Sequence, residues 1–126
     1  MKLLPVLLAG ALLATACSTP IVRDAGLDRL AVRKAEKDLS AGIRAYEDGD
    51  YPNSARLLQS ALSAGLLLNA DKVSAYKYLA FMNCAQGRER ACREDFRKAL
   101  AIDPKFELTP AEAGHPMWGP VFKSLK

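Results

Sequence analysis

The chain has 126 residues, with 18 lysines and arginines against 14 aspartates and glutamates for a net charge of +4, and half of its residues are hydrophobic. That length suits one hydrophobic core and is too short for two. Basic and acidic residues alternate, as in Arg33-Lys34-Ala35-Glu36-Lys37-Asp38 and Arg88-Glu89-Arg90, which reads as a solvated helix surface and gives no support to nucleic-acid binding.

Met1-Lys2 opens the chain and an apolar run from Leu3 to Leu13 follows, too short to cross a bilayer as a permanent helix, which takes roughly 20 residues. With the small residues Ala14-Thr15-Ala16 after it, the run reads as an export leader that is removed. Cutting after Ala16 makes 1–16 the leader, leaves 110 residues and, by removing Lys2, lowers the net charge to +3. The ending Ala14-Thr15-Ala16-Cys17 resembles the lipobox of bacterial lipoproteins, although Ala14 stands where that motif usually has leucine. The resemblance implies that Cys17 carries lipid as the mature amino terminus, with 17–23 as a tether. Ser18, in place of aspartate, implies by likeness to enterobacterial sorting an outer-membrane anchor and a domain facing the periplasm. Ala14-Thr15-Ala16 also satisfies the small-x-small site of an ordinary signal peptidase, which would leave Cys17 a plain thiol.

Beyond Pro20, Ala, Leu, Arg, Lys and Glu predominate and β-branched residues are few, so an all-α fold is predicted. Apolar residues from Leu27 to Tyr46 at helical spacing predict a long first helix over about 24–48. Gly49-Asp50 breaks it, and Tyr51-Pro52 opens a second helix that stops at Gly65. After the link Leu66-Leu67-Leu68, Asn69 or Asp71 can cap a third helix that ends at Gly87. A fourth helix runs from there to Asp103-Pro104, because the residue before proline avoids the helical region. The helical domain is thus expected over 24–104. In 105–126, a capping segment, Thr109-Pro110-Ala111-Glu112 has the spacing of a capping box, Gly114 ends that turn, and His115-Pro116-Met117-Trp118 starts a last short helix or an irregular lid.

Gly42, Gly49, Leu58 and Ala61 recur as Ala80, Gly87, Phe96 and Ala99, 38 positions on in every case. A fixed period of this size marks stacked helical hairpins. Tyr76-x-x-Leu79-Ala80, Gly87 and Phe96-x-x-Ala99-x-x-x-x-Pro104 resemble a tetratricopeptide repeat, with Asn83 and Cys92 as departures. The earlier copy fits at Gly42, Gly49, Ser54, Leu58 and Ala61, but Asp38 replaces the aromatic and no proline closes it. The period exceeds the family's usual 34 or so residues, and the surplus is expected in 64–72. The resemblance implies a groove lined by the first helix of each hairpin, here with Leu39, Ile43, Tyr46, Lys77 and Phe81, that takes a peptide or helix of a partner. In so short an array the long first helix could instead bury these residues.

Cys84 and Cys92 flank the turn of the second hairpin, and export to an oxidising compartment makes a disulfide between them the expected arrangement; two buried thiols in a tight helix contact is the alternative. Pairing them leaves Cys17 free for lipid. Ser54, Ser60, Ser63 and the single histidine, His115, have no partner in sequence that would make a catalytic group, so no enzyme activity, cofactor or metal is expected. Trp118 either closes the core or anchors a partner from the tail. The chain resembles the small repeat lipoproteins that accompany secretion or pilus machinery, and its tail those associated with type VI secretion. The expectation is a non-catalytic envelope adaptor or assembly factor; the alternative is a structural lipoprotein that binds peptidoglycan.

Overall fold

Local breakers set the helix boundaries. A computed structural model describes residues 20–126, with side chains from Gly26 onward; the leader 1–16 and the expected lipidation at Cys17 lie outside the described residues. Among those described, six helices and no strand occur: α1 (Pro20–Glu47), α2 (Tyr51–Ala64), α3 (Asn69–Ala85), α4 (Glu89–Ile102), α5 (Pro110–Ala113) and α6 (Gly119–Lys123). The fold is all-α. α1 begins at Pro20, so it takes up most of the segment expected as a tether.

α1 packs on α2 and α3 on α4, and each pair is joined by a tight turn around a left-handed glycine, Gly49 (φ +78°) and Gly87 (φ +76°). A Cβ is strained in that conformation. The two turns share one hydrogen-bond scheme at the 38-residue offset. Gly49 N–H donates to Tyr46 O (3.0 Å) as Gly87 does to Cys84 O (3.1 Å), and Asp50 N–H to Ala45 O as Arg88 does to Asn83 O, both at 2.8 Å. Asp50 caps α2 by accepting from Asn53 N–H, and Gly65 closes it in the left-handed region. The N-cap of α3 is Leu68, with no side-chain cap, so neither Asn69 nor Asp71 plays the part expected of it. Leu68 is extended (φ −83°, ψ 132°), and the turn is formed by backbone bonds from Asp71 and Lys72 to its carbonyl.

The core has two parts. Ala35, Leu39, Leu58, Ala61, Leu66, Ala75, Leu79 and Met82 join α1, α2 and α3, whereas Ala80, Phe81, Cys84, Cys92, Phe96, Leu108, Trp118, Val121 and Phe122 join α3 and α4 to the C-terminal segment. Tyr46 and Tyr78 pack against both. At Gly42 a Cβ would come within 2.8 Å of Leu58 Cδ2, so the missing side chain is what lets α1 and α2 approach. Leu58 therefore fills the inside of the first hairpin as well as the seam to α3. Phe96, its counterpart in the second hairpin, meets Phe81 and Phe122 edge-on.

Candidate functional site

Each hairpin is tied at equivalent positions. Ser54, fully buried, donates through Oγ to Gly42 O at 2.7 Å, a bond that satisfies its hydroxyl without water. Cys92 stands 38 residues on and lies at disulfide distance from Cys84, with Cα atoms 5.1 Å apart and both side chains buried. Position 54 in one hairpin and position 92 in the other thus hold their helix against its partner by different chemistry. The sequence pattern showed the first only as a small residue.

Polar ties complete the helix pairs. Ser60 Oγ donates to Asp38 (2.7 Å) and accepts from Lys34 (2.9 Å), while Lys34 also pairs with Asp38. The Lys34 and Ser60 donors hold the Asp38 carboxyl below its ordinary pKa, the Lys34 bond contributing most. Sequence reasoning left Ser60 without a base; the structure supplies a neighbouring carboxylate, but one made weakly basic by its donors and in contact with a charged lysine, so the trio serves to bind α1 to α2. Across the second hairpin, Asn83 donates to Asp95 (2.7 Å) and accepts from Arg88 Nε (3.0 Å). Burial pushes the Asp95 carboxyl up, partly offset by the Asn83 bond. Among the described residues no cluster of three or more His, Cys, Asp or Glu could hold a metal ion.

The expected groove is reorganised by the chain's own C-terminal segment. Glu112 completes the α5 capping box with one carboxylate oxygen on Thr109 N–H (2.9 Å) and reaches Lys77 on α3 with the other (2.8 Å). Burial alone would raise its pKa; the Lys77 ammonium and the Thr109 donors outweigh that and lower it. Trp118 stacks on Phe81 at 4.3 Å between ring centroids, its Nε1–H donates to Glu112 O (2.9 Å), and His115 stacks on its other side at 3.5 Å. Phe81 is consequently 2 % exposed and Trp118 8 %. Phe81 is corrected from groove lining to core, and Lys77 from a free contact to an internal ion pair. Trp118 is core and not an exposed tail anchor, because its indole is enclosed by Phe81 and His115 and its N–H is spent on a backbone carbonyl. Its seat is on α3, while Phe122 covers α4 through Phe96. Leu39 is likewise buried, in the first core cluster.

Ile43 and Tyr46 remain half-buried. Tyr46 sits at the meeting point of the hairpins, stacked on Tyr51 (5.5 Å, 14°) and tilted against Tyr78 (4.9 Å), and Lys77 Nζ lies 4.7 Å from the Tyr78 centroid. Burial, with smaller effects from Tyr51, Tyr78 and Glu112, pushes the Tyr46 phenol up to about 12, so it stays a neutral hydroxyl. Tyr51 also borders a cleft of about 230 Å³ between α2 and α3, lined further by Gln59, Leu79, Met82, Asn83, Gln86 and Arg88. Tyr51 thus opens onto a small cleft of amides and an arginine, with half-buried Tyr46 stacked on it and Tyr78 tilted against Tyr46. A larger hollow of about 570 Å³ lies over the C-terminal segment, where Leu108, Pro116, Pro120 and Phe122 form an apolar floor rimmed by Glu107, His115, Lys123 and Lys126. No protein-family model matches the chain, and neither a curated protein nor a solved structure does.

Proposed function

We propose that this chain is a non-catalytic adaptor of tetratricopeptide-like architecture, anchored to the outer membrane by lipid on Cys17, that holds a peptide or helix of an envelope protein at the junction of its two hairpins. The observation that carries the reading is the half-open group Tyr46, Tyr51 and Tyr78, of which Tyr51 lines the α2–α3 cleft. Rigid aromatic rings offer large contact area at little entropic cost, and Gln59, Gln86 and Arg88 supply donors and acceptors for a peptide backbone. The shared turn hydrogen bonds, 38 residues apart, support the repeat architecture. A secretion machine is the kind of envelope complex such an adaptor serves.

The test is a pull-down of the full lipid-anchored protein from crosslinked envelopes, comparing the wild type with Tyr51→Ala and Ile43→Ser. One defined protein partner, lost in both variants while helicity persists, is expected. Recovery of peptidoglycan fragments alone, or a partner retained by both variants, overturns the reading.

A further inference from the structure

Arg88 stands at the turn of the second hairpin and lines the α2–α3 cleft. Its Nε donates to Asn83 Oδ1 (3.0 Å) and its Nη2 to Gln86 Oε1. Asn83 is itself fixed from behind, since its Nδ2 donates to Asp95 Oδ2 (2.7 Å) and Asp95 is only 9 % exposed. A relay from the buried side of α4 therefore holds the guanidinium in place. The remaining N–H groups, both on Nη1 and one on Nη2, have no acceptor among the described residues. None of the ion pairs among the described residues involves Arg88. The cleft offers no carboxylate of its own either, because Arg88 is the one charged side chain that lines it, and Pro52, Ala55, Leu79 and Met82 supply its apolar surface.

We propose that this cleft takes one aspartate or glutamate side chain of the partner peptide, its carboxylate forked on Arg88 Nη1 and Nη2 and its methylene stem against the apolar wall. The proposal rests on the reading of the cleft as a peptide site and names what that peptide carries. A guanidinium is planar and always charged, and its paired N–H donors match the two oxygens of a carboxylate. With no second cation lining the cleft among the described residues, the charge is complementary to a monoanion. A volume of about 230 Å³, below that of most small-molecule pockets, has room for a side chain and not for a folded segment. Because Asn83 and Gln86 already hold Arg88, it loses less freedom on binding than a mobile surface arginine would. Gln59 and the amide nitrogen of Gln86 are left for the peptide backbone.

The test is selection of a random peptide library with amidated carboxyl ends on the full-length protein, followed by calorimetric titration of the enriched peptide. An aspartate or glutamate enriched at one position is expected. Replacing that residue by its amide should weaken binding to the wild type about tenfold or more, the scale of a hydrogen bond to a charged group, and should change nothing in Arg88→Gln. Arg88→Lys should lose most of the same affinity, because a point charge does not reproduce the fork. Arg88 is exposed, so both variants should keep wild-type helicity, and the comparison of acid with amide on the wild type needs no variant. Peptides enriched without an acidic position overturn the inference and leave the adaptor reading standing. So do an acid and an amide that bind the wild type alike, or an acid-to-amide loss of equal size in Arg88→Gln. Enrichment only when the carboxyl ends are left free overturns it as well, since the anion would then be a chain terminus. If no peptide is enriched from either library, the adaptor reading fails and the inference falls with it.

Discussion

Trp118 is the residue whose replacement discriminates most sharply between a closed fold and a free tail. Its indole lies between Phe81 (4.3 Å) and His115 (3.5 Å), and its N–H is bonded to Glu112 O at 2.9 Å. Trp118→Ala removes both contacts and opens a void over Phe81, for which buried aromatic-to-alanine changes cost about 3–5 kcal/mol. The lower half of that range is expected, because Trp118 lies under a thin four-residue helix and a short link that can settle into the space. Trp118→Phe keeps a ring on Phe81 and gives up mainly the hydrogen bond, at about 1 kcal/mol. Urea unfolding followed by far-UV circular dichroism reads both differences, since α1 to α4 hold most of the helical signal. Costs of about 3 and about 1 kcal/mol, in that order, are predicted. A loss below about 1 kcal/mol for Trp118→Ala, the size expected for an exposed aromatic, would refute the core assignment and restore the tail as a candidate anchor.

Other consequences are equally direct. Glu112 has a lowered pKa, so its contribution is complete above its unfolded value of 4.5 and is lost as pH falls through the lower folded value; Trp118 fluorescence should report loosening of the C-terminal segment only below about pH 4.5, and Glu112→Gln should abolish that acid step. Gly119→Ala should destabilise by about 2 kcal/mol or more in thermal or urea melts, because its Cβ would lie 2.2 Å from the backbone oxygen of Ala113, and Gly42→Ala should also destabilise, because its Cβ would meet Cδ2, Cγ and the backbone nitrogen of fully buried Leu58 at 2.8, 2.9 and 3.2 Å. Ser54→Ala should cost about 1 kcal/mol by the same measurement, as it leaves the Gly42 carbonyl without its side-chain donor. Reducing a Cys84–Cys92 bond, or replacing both by serine, should lower stability by about 2–3 kcal/mol for a loop this short; two reactive thiols in the native protein would show that the pair is not bonded.

What could be read from the sequence was whatever depends on neighbours close in the chain. Gly49, Gly65 and Gly87 end helices because left-handed backbone favours glycine, Pro104 stops α4 through the residue before it, and Thr109 and Glu112 form a box within one turn. The 38-residue recurrence was equally visible, since a repeat is a property of sequence alone. The α3 cap was misread because Asn69 and Asp71 are good capping residues, but the chain turns one residue earlier, where Leu66 must enter the core. The groove was misread for a deeper reason. Lys77 and Phe81 look like an open face until the last residues of the chain fold back, and only the three-dimensional path of 105–126 shows that Glu112 and Trp118 reach them. Tyr51, placed in sequence only at a helix start, joined the candidate site because a turn brings it against Tyr46.

The central claim is that the tyrosine junction, and not the C-terminal segment, receives a partner at the membrane. The most direct measurement is photocrosslinking in living cells with a benzophenone amino acid at Tyr51, compared with Met117, in the full-length chain and in Cys17→Ser. One discrete protein adduct from position 51, none from 117, and loss of the adduct when Cys17 is replaced are expected. An adduct from 117 alone, or from 51 with undiminished yield in Cys17→Ser, would contradict it.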